Sequence, residues 1–321
     1  MSNNIRKSSL EQAKTDFEEI RTFAQQQIEA KLQEEVDKKI LEVINEEINI
    51  SVDEDGNVEV EKDGEEVFTT SASSGDTEET LASVNKAMLK RAHIICISSG
   101  GRLLEIAKEY NLHYIQLETG IPSGRAMLGS MVVSLLYSLY HTNLIGAAFI
   151  KETENAVEYL DRGERAIQAE AELIAKRLKG RFPIIYCDER LKAMATRFQH
   201  QLNLNAKQLA HVNTFPEMNH NEIAGWKFPE NILQQTQVVY LYSDHDHERV
   251  EKRMEICRPV FEGQSRHVVD IVAEGASLLE QYYYLIHLTD WISYFVAKEN
   301  QIDPDPVEAT ERVIEELSKL K

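Results

Sequence analysis

The residues best suited to chemistry lie close together at positions 215–226, in the stretch FPEMNHNEIAGW. Two carboxylates, Glu217 and Glu222, flank the imidazole of His220 beside a proline and a glycine. Carboxyl and imidazole groups move protons near neutral pH, and loops on a rigid scaffold commonly carry such groups. The pattern predicts an acid–base site, and an ordinary polar surface turn is the alternative.

Two short turns, SSGDT at 73–77 and SSGG at 98–101, are candidate phosphate-binding loops. Each lies between a predicted strand and a predicted helix. A helix N-terminus offers backbone N–H groups and a positive dipole end, and nearby hydroxyls add further donors. The candidate hydroxyls belong to Ser74, Thr77, Ser98 and Ser99. Simple N-capping is the alternative, because Ser, Thr and Asp favour that position.

The acidic and histidine residues at 244–247, DHDH, are a weaker candidate for a metal site. Four consecutive side chains rarely converge on one ion, and an aspartate just before a helix is well explained as a cap. We therefore expect no metal and no cofactor.

The elements that must position these residues alternate between strand and helix. The first part predicts strands at 66–72, 93–97 and 114–117 and helices at 78–92 and 102–110. The second part repeats the pattern, with strands near 183–186, 209–213, 237–242 and 267–272 and helices at 188–203, 247–260 and 276–299. Such alternation is typical of βαβ units and predicts an α/β protein with two parallel-sheet halves. A DPDP break at 303–306 precedes a final helix.

Three further segments complete the predicted organisation. Residues 1 to about 48 have helical apolar spacing, which indicates either a solvated helix or a dimerisation helix. Residues 49–70 predict a β-hairpin turning at Asp55 and Gly56. The apolar run 127–150 contains several polar side chains, so we expect a buried helix there and not a membrane span. The predicted domains are an extension at 1–65, a partial first domain at 66–152 and a second domain at 153–321.

Composition limits the partners and the compartment. The 321 residues carry a formal net charge of −19, which argues against nucleic acid and anionic membrane as partners. The three cysteines are widely spaced, which indicates a reducing compartment. The first thirty residues contain no apolar core typical of a signal peptide, so we expect a cytoplasmic protein.

Several segments resemble one known family over roughly residues 69–310. QLNLNAK at 201–207, PEMNHNEIAGW at 216–226 and LTDWISY at 288–294 resemble the motifs QLNENAK, PExNHNEIxGW and LGDWVSYY of bifunctional phosphoglucose/phosphomannose isomerases. The family has the sugar isomerase (SIS) fold. The resemblance therefore implies two flavodoxin-like halves, a sugar phosphate ligand and a homodimer whose active-site histidine comes from the neighbouring subunit.

The resemblance also implies roles for individual residues. His220 falls on the histidine that opens the sugar ring. Arg125, in PSGRAML at 122–128, falls on the arginine of a PRAAL-like loop that stabilises negative charge on the reacting sugar, although a surface arginine is the alternative. SSGDTEET at 73–80 resembles the phosphate loop SxSGNTEET.

The chain departs from the family pattern where the chemistry should occur. Leu204, sixteen residues before His220, stands at the position of the family's catalytic glutamate. The position of the assisting lysine falls near Ile314, with Lys319 and Lys321 close by. Asp76 replaces an asparagine of the phosphate loop, Ala72 replaces its first serine, and no glycine-rich turn precedes residue 68.

These departures leave three hypotheses open. The protein is an isomerase with a relocated base, for which Glu217 and Glu222 are the nearest acids in sequence. Alternatively it is a catalytically silent relative that senses sugar phosphates or serves as an assembly partner, or a structural dimer without a ligand. Three losses, of the glycine-rich turn, the base and the lysine, favour impaired catalysis.

Overall fold

A computed structural model of the protein describes residues 48–52, 58–62, 65–72, 75–121, 124–317 and 319. The helices predicted near residues 1–48 fall almost entirely outside this range, as do Ser74 and the hairpin turn at 55–56. The chain divides by compactness into two units, residues 1–146 and 147–321, and each is described by itself.

Unit 1 contains a mixed five-stranded sheet in the order β1-β2-β3-β4-β5. Its strands are Ile48–Val52, Val58–Lys62, Glu65–Ala72, His93–Ser98 and His113–Gln116. The first two strands pair antiparallel, which confirms the predicted hairpin, and β3, β4 and β5 run parallel. Helices α1 (Glu78–Lys90) and α2 (Gly101–Glu109) connect the parallel strands. Unit 1 is thus a short parallel sheet extended by a hairpin along the edge of β3.

The core of unit 1 forms where α1 and α2 lie against β4. Val84, Leu103 and Cys96 are fully buried there, one from each of these elements. The helical spacing of apolar residues in α1 and α2 places them on the face that meets the sheet. This packing holds in place the two turns that precede α1 and α2.

The expectation of one buried helix across 127–150 is wrong. Helix α3 spans only Leu128–His141, and the chain then turns before the next helix begins at Ala148. Apart from the buried Ser138, the described side chains of α3 are half-buried or exposed, because only part of the helix, including Met131 and Leu135, packs on a small cluster below it. No helix in the described part of the chain is long and apolar enough to cross a bilayer.

Unit 2 is built around a four-stranded parallel sheet in the order β7-β6-β8-β9. Its strands are β6 Phe182–Asp188, β7 His211–Phe215, β8 Thr236–Tyr242 and β9 Val269–Val272. Its helices are α4 Ala148–Leu178, α5 Lys192–Ala206, α6 Glu230–Leu233, α7 Glu248–Glu262, α8 Leu278–Glu299 and α9 Glu308–Leu317. The predicted α/β fold with parallel sheets is confirmed.

Alternation along the central strands divides the interior of unit 2 into two cores. Ile185 in β6 faces a core with the buried residues of α4, α5 and α8, whereas the next residue, Tyr186, faces a core with α7 and Trp226. Successive side chains of a strand point to opposite faces, and both faces of this sheet are covered. The second core therefore receives the segment that follows β7, which carries the predicted acid–base residues.

Candidate functional site

The acid–base segment is a loop that leaves the end of β7 and consists of two short 3-10 helices, Glu217–His220 and Glu222–Gly225. Met218 and Trp226 are buried in the second core and hold the loop at both ends. His220 is exposed, as is Glu217. The apolar residues of the loop thus anchor it and leave the imidazole accessible to solvent.

Glu222 binds the loop to the sheet through three hydrogen bonds. The Tyr186 hydroxyl donates to Glu222 Oε1 at 2.5 Å, His211 Nε2 lies 3.1 Å from Glu222 Oε2, and the Asn213 side-chain amide also donates to Oε2. The same Tyr186 hydroxyl accepts from Trp226 Nε1 at 2.9 Å. Both ends of the second 3-10 helix are therefore connected to one buried tyrosine.

These contacts shift the ionisation of the groups involved. Burial alone would raise the pKa of Glu222, but hydrogen bonds from His211, Asn213 and Tyr186 outweigh it and lower the pKa to about 2. Donating a hydrogen bond to the Glu222 carboxylate in turn raises the pKa of His211. A carboxylate with so low a pKa is a weak proton acceptor, so this environment suits an anchoring group better than a general base.

Two other residues complete the loop. Glu217 accepts a hydrogen bond from Asn221 Nδ2 at 3.1 Å. Asn219 Nδ2 lies 3.0 Å from Cys257 Sγ, which connects the loop to α7. The loop is therefore held from several sides, and His220 is its exposed ionisable group beside Glu217.

Leu204 lies in the last turn of α5, beside a cavity of about 510 Å³. Lys207 caps the helix in a left-handed conformation with φ 51°, and its Nζ donates to the carbonyls of Leu204 at 2.7 Å and Pro304 at 3.2 Å. This bridge holds the 302–310 segment over the helix end. The cavity is lined by Asn203, Leu204, Lys207, Gln208, Leu209, Ile302, Asp303, Pro306, Val307, Glu308, Ala309 and Thr310.

The acid–base loop of the same chain does not reach the cavity that Leu204 lines. None of Glu217, His220 and Glu222 is among its lining residues. The reason is topological, because α5 returns towards the edge where β7 begins, whereas the loop leaves the opposite end of that strand. Two acidic residues, Asp303 and Glu308, line the cavity together with Leu204.

The position expected for the family's lysine carries no cation. Ile314 lies in α9 and is 63% exposed. The neighbouring Lys319 forms ion pairs with Glu315 at 3.2 Å and Glu316 at 3.0 Å.

In unit 1 the two candidate phosphate turns interlock where β3 and β4 end. Leu103 N donates to the carbonyl of Gly75 at 2.8 Å, and Arg102 N donates to Asp76 Oδ1 at 2.9 Å. A Cβ added to Gly75, which has φ +79°, would lie 1.9 Å from the carbonyl oxygen of Gly100. The Asp76 carboxylate therefore occupies an N–H group at the start of α2 that a bound anion would otherwise use.

The candidate hydroxyls differ in their accessibility. Ser98 is fully buried and its Oγ donates to the Gly100 carbonyl at 3.0 Å, so the structure does not place it where a ligand could reach it. Thr77 is exposed and its side chain makes no capping hydrogen bond. Ser99 is half-buried, and so is Arg125, which lies in a 3-10 helix just before α3.

Sequence reasoning missed the partners of Glu222 and the segment opposite Leu204. No spacing signal relates Tyr186, His211 and Asn213 to the loop, because parallel strand pairing brings them together. The DPDP break predicted the start of α9 but not its position over the end of α5. Among the described residues, no group of three or more His, Cys, Asp or Glu side chains is arranged to hold a metal ion.

Comparison with known proteins agrees with this architecture. A family model described as the bacterial phospho-glucose isomerase C-terminal SIS domain matches residues 167–317. A structure titled as a glucose-6-phosphate isomerase like protein from Thermus thermophilus is similar in fold, with a TM-score of 0.53 and 17% identity, covering 74% of this chain and 76% of that chain.

Relatives in sequence are more specific. The bifunctional phosphoglucose/phosphomannose isomerase of Aquifex aeolicus is 35% identical over 248 residues, covering 77% of this chain and 74% of that protein. The protein of the same name from Caldicellulosiruptor bescii is 34% identical over 258 residues, covering 78% of this chain and 76% of that protein. The chain therefore belongs to the bifunctional phosphoglucose/phosphomannose isomerase family.

Proposed function

We propose that this protein binds a sugar phosphate and that its aldose–ketose isomerase activity is impaired relative to its family. One observation carries the proposal, namely that a leucine lines the cavity at the position of the family's catalytic glutamate. A leucine side chain cannot accept a proton, and a positioned general base contributes about 100- to 10,000-fold in rate. The alternative is a silent relative that acts as a sugar-phosphate sensor or an assembly dimer.

The remaining parts of the reaction have candidates in this chain. Ring opening requires an acid–base group near neutral pH, and His220 is an exposed imidazole on an anchored loop. The enediolate formed between the two carbons requires a fixed positive charge, which the guanidinium of Arg125 would supply. Family membership supports both roles.

Phosphate binding is assigned to the interlocked turns of unit 1. Thr77 and Ser99 are the described hydroxyl candidates, and Ser74 lies outside the described residues. The N-termini of α1 and α2 favour an anion, but the Asp76 carboxylate opposes it. We therefore expect weak phosphate binding.

We also propose a cytoplasmic homodimer in which His220 of one subunit serves the Leu204 cavity of the other. The separation of Leu204 from His220 within one chain supports this arrangement. With His220 absent from the cavity lining, a second copy is the simplest source of the imidazole.

The activity is tested by coupled assays with fructose 6-phosphate and mannose 6-phosphate. We expect the Leu204→Glu variant to turn over at least about 100-fold faster than the parent, because it restores a proton acceptor. Adding His220→Ala to that variant should abolish the gain. A parent enzyme as fast as Leu204→Glu would refute impaired catalysis.

Binding is tested separately by thermal unfolding with glucose 6-phosphate, fructose 6-phosphate and mannose 6-phosphate. A ligand that binds only the folded state raises the unfolding temperature. A rise without turnover, even at high enzyme concentration, would favour the sensor alternative. No rise with any of the three would refute the sugar-phosphate proposal.

A further inference from the structure

We infer that Glu308 replaces the missing glutamate as the proton acceptor in the Leu204 cavity. The inference rests on the proposed function and names the residue on which the residual activity depends. The 302–310 segment lies over the end of α5, and Glu308 of that segment lines the same cavity as Leu204.

The cavity has the size and character of a small-molecule site. Its volume of about 510 Å³ lies within the usual range of roughly 300–1,000 Å³ for ligand pockets. Most of its wall is apolar, including Leu204, Leu209, Ile302 and Val307. A few polar groups converge on it, as is typical of pockets that orient a small polar ligand.

The two carboxylates of the cavity are not equivalent. Asp303 Oδ1 accepts the backbone N–H of Asp305 at 3.0 Å, so this side chain shapes the turn that leads into α9. The Glu308 side chain makes no hydrogen bond or ion pair with any residue that the structure describes, and the residue is exposed. Glu308 is therefore the carboxylate that can meet a ligand without breaking a structural contact.

Hydrogen bonds hold the segments on both sides of the cavity that Glu308 lines. Lys207 connects the end of α5 to Pro304, so the helix end and the segment leading to α9 are joined directly. Thr310 N and Glu311 N both donate to the carbonyl of Val307, which starts the helix at Glu308. Glu308 thus lies in the first turn of a helix, which fixes the position of its backbone.

The step assigned to Glu308 is the proton shift between C2 and C1 of the open-chain aldose. The carboxylate takes the proton from C2, the C–H electron pair forms the C1–C2 double bond, and the carbonyl pair moves onto O1. A proton then passes from O2 to O1, the C2–O2 bond becomes a carbonyl, and the carboxyl returns its proton to C1. Glu308 ends as it began, and an aldose phosphate has become a ketose phosphate.

The test follows exchange of the sugar proton with solvent deuterium by NMR, using glucose 6-phosphate and the full-length protein. The protonated carboxyl exchanges with D₂O, so catalysis introduces deuterium into the sugar. We expect slow exchange with the parent and a loss of about 100-fold in Glu308→Gln. Glu311→Gln is the matched control, since Glu311 lies three residues on in the same helix and does not line the cavity. It should exchange at the parent's rate.

A second variant distinguishes the loss of the carboxylate from a structural effect of the Glu308→Gln substitution. Leu204→Glu combined with Glu308→Gln should regain exchange, because the carboxylate returns to the family's position. The inference is overturned if Glu308→Gln exchanges as fast as the parent, if the double variant stays inactive, or if the parent binds without exchanging. The first two results leave the proposed function intact when sugar phosphates still raise the unfolding temperature, whereas binding without exchange favours the sensor alternative. Absence of any thermal shift refutes the proposed function and the inference together.

Discussion

Asp76 lies in the turn of unit 1 that we propose as a phosphate site. Its carboxylate caps α2 through the Arg102 N–H, a bond that an asparagine oxygen would make equally well. The negative charge remains beside the N-termini that should receive the phosphate. The residue is compatible with the fold, but its charge would oppose the proposed phosphate ligand.

Asp76→Asn should therefore strengthen sugar-phosphate binding. Removing one negative charge near a helix N-terminus while retaining the cap is worth about 0.3–1 kcal/mol, or roughly two- to fivefold in Kd. Titration calorimetry at low and high salt measures the change, which should shrink as salt screens the charge. Equal affinities of parent and variant at low salt would show that the phosphate binds elsewhere.

The ionisation of Glu222 is linked to the stability of the fold. Its folded-state pKa of about 2 lies below the ordinary value of 4.5, so its stabilisation is fully present above about pH 4.5 and is lost as pH falls towards 2. Glu222→Gln should cost about 1–3 kcal/mol at pH 7, because a charged acceptor of three hydrogen bonds is lost.

Urea unfolding at pH 7, 5 and 3 measures this effect. The difference in free energy of unfolding between the parent and Glu222→Gln should narrow between pH 5 and 3, because the Glu222 carboxylate takes up a proton there in the unfolded state while it stays ionised in the folded state. Glu217→Gln is a control on the same loop, exposed and expected to change stability by less than about 0.5 kcal/mol. If the free energy of unfolding of the parent and of Glu222→Gln differed by the same amount at every pH, the role of the charge would be contradicted.

At the scale of elements, the contact between the two turns of unit 1 determines how α1 and α2 begin. Gly75→Ala should destabilise the protein by more than about 1 kcal/mol, because its positive φ and the closeness of the Gly100 carbonyl both exclude a Cβ. Gly100→Ala is the matched control, since its backbone is extended with φ 175° and a Cβ would meet nothing within 4 Å. Thermal unfolding of both variants tests the contact, and equal midpoints would contradict it.

At the scale of the whole molecule, the proposed dimer predicts complementation between two inactive variants. His220→Ala keeps Glu308, and Glu308→Gln keeps His220. If each site combines Glu308 of one subunit with His220 of the other, half of the mixed dimers are heterodimers with one intact site of two. Subunit exchange should then restore about a quarter of the parent's isotope exchange, with the oligomeric state measured by light scattering. No recovery in a mixture shown to contain heterodimers would place both residues in one subunit.

The sequence by itself determined most of the elements and the family of this protein. The apolar runs of β6 and β8, the turns before α1, α2 and α9, and the motif around His220 were readable because periodicity and turn chemistry are local. The break between α3 and α4 was missed, since no proline interrupts 127–150 and the apolar pattern continues through it.

Only the tertiary structure decided which side chains meet. Glu222 forms hydrogen bonds with Tyr186 and His211 because strand pairing brings together residues that are far apart in the sequence. No local sequence pattern encodes that pairing. Glu308 shares a cavity with Leu204 because a distant segment folds back over the end of α5. Such contacts depend on the packing of whole elements, so the leucine at position 204 was visible in the sequence, whereas the acidic residue that shares its cavity was not.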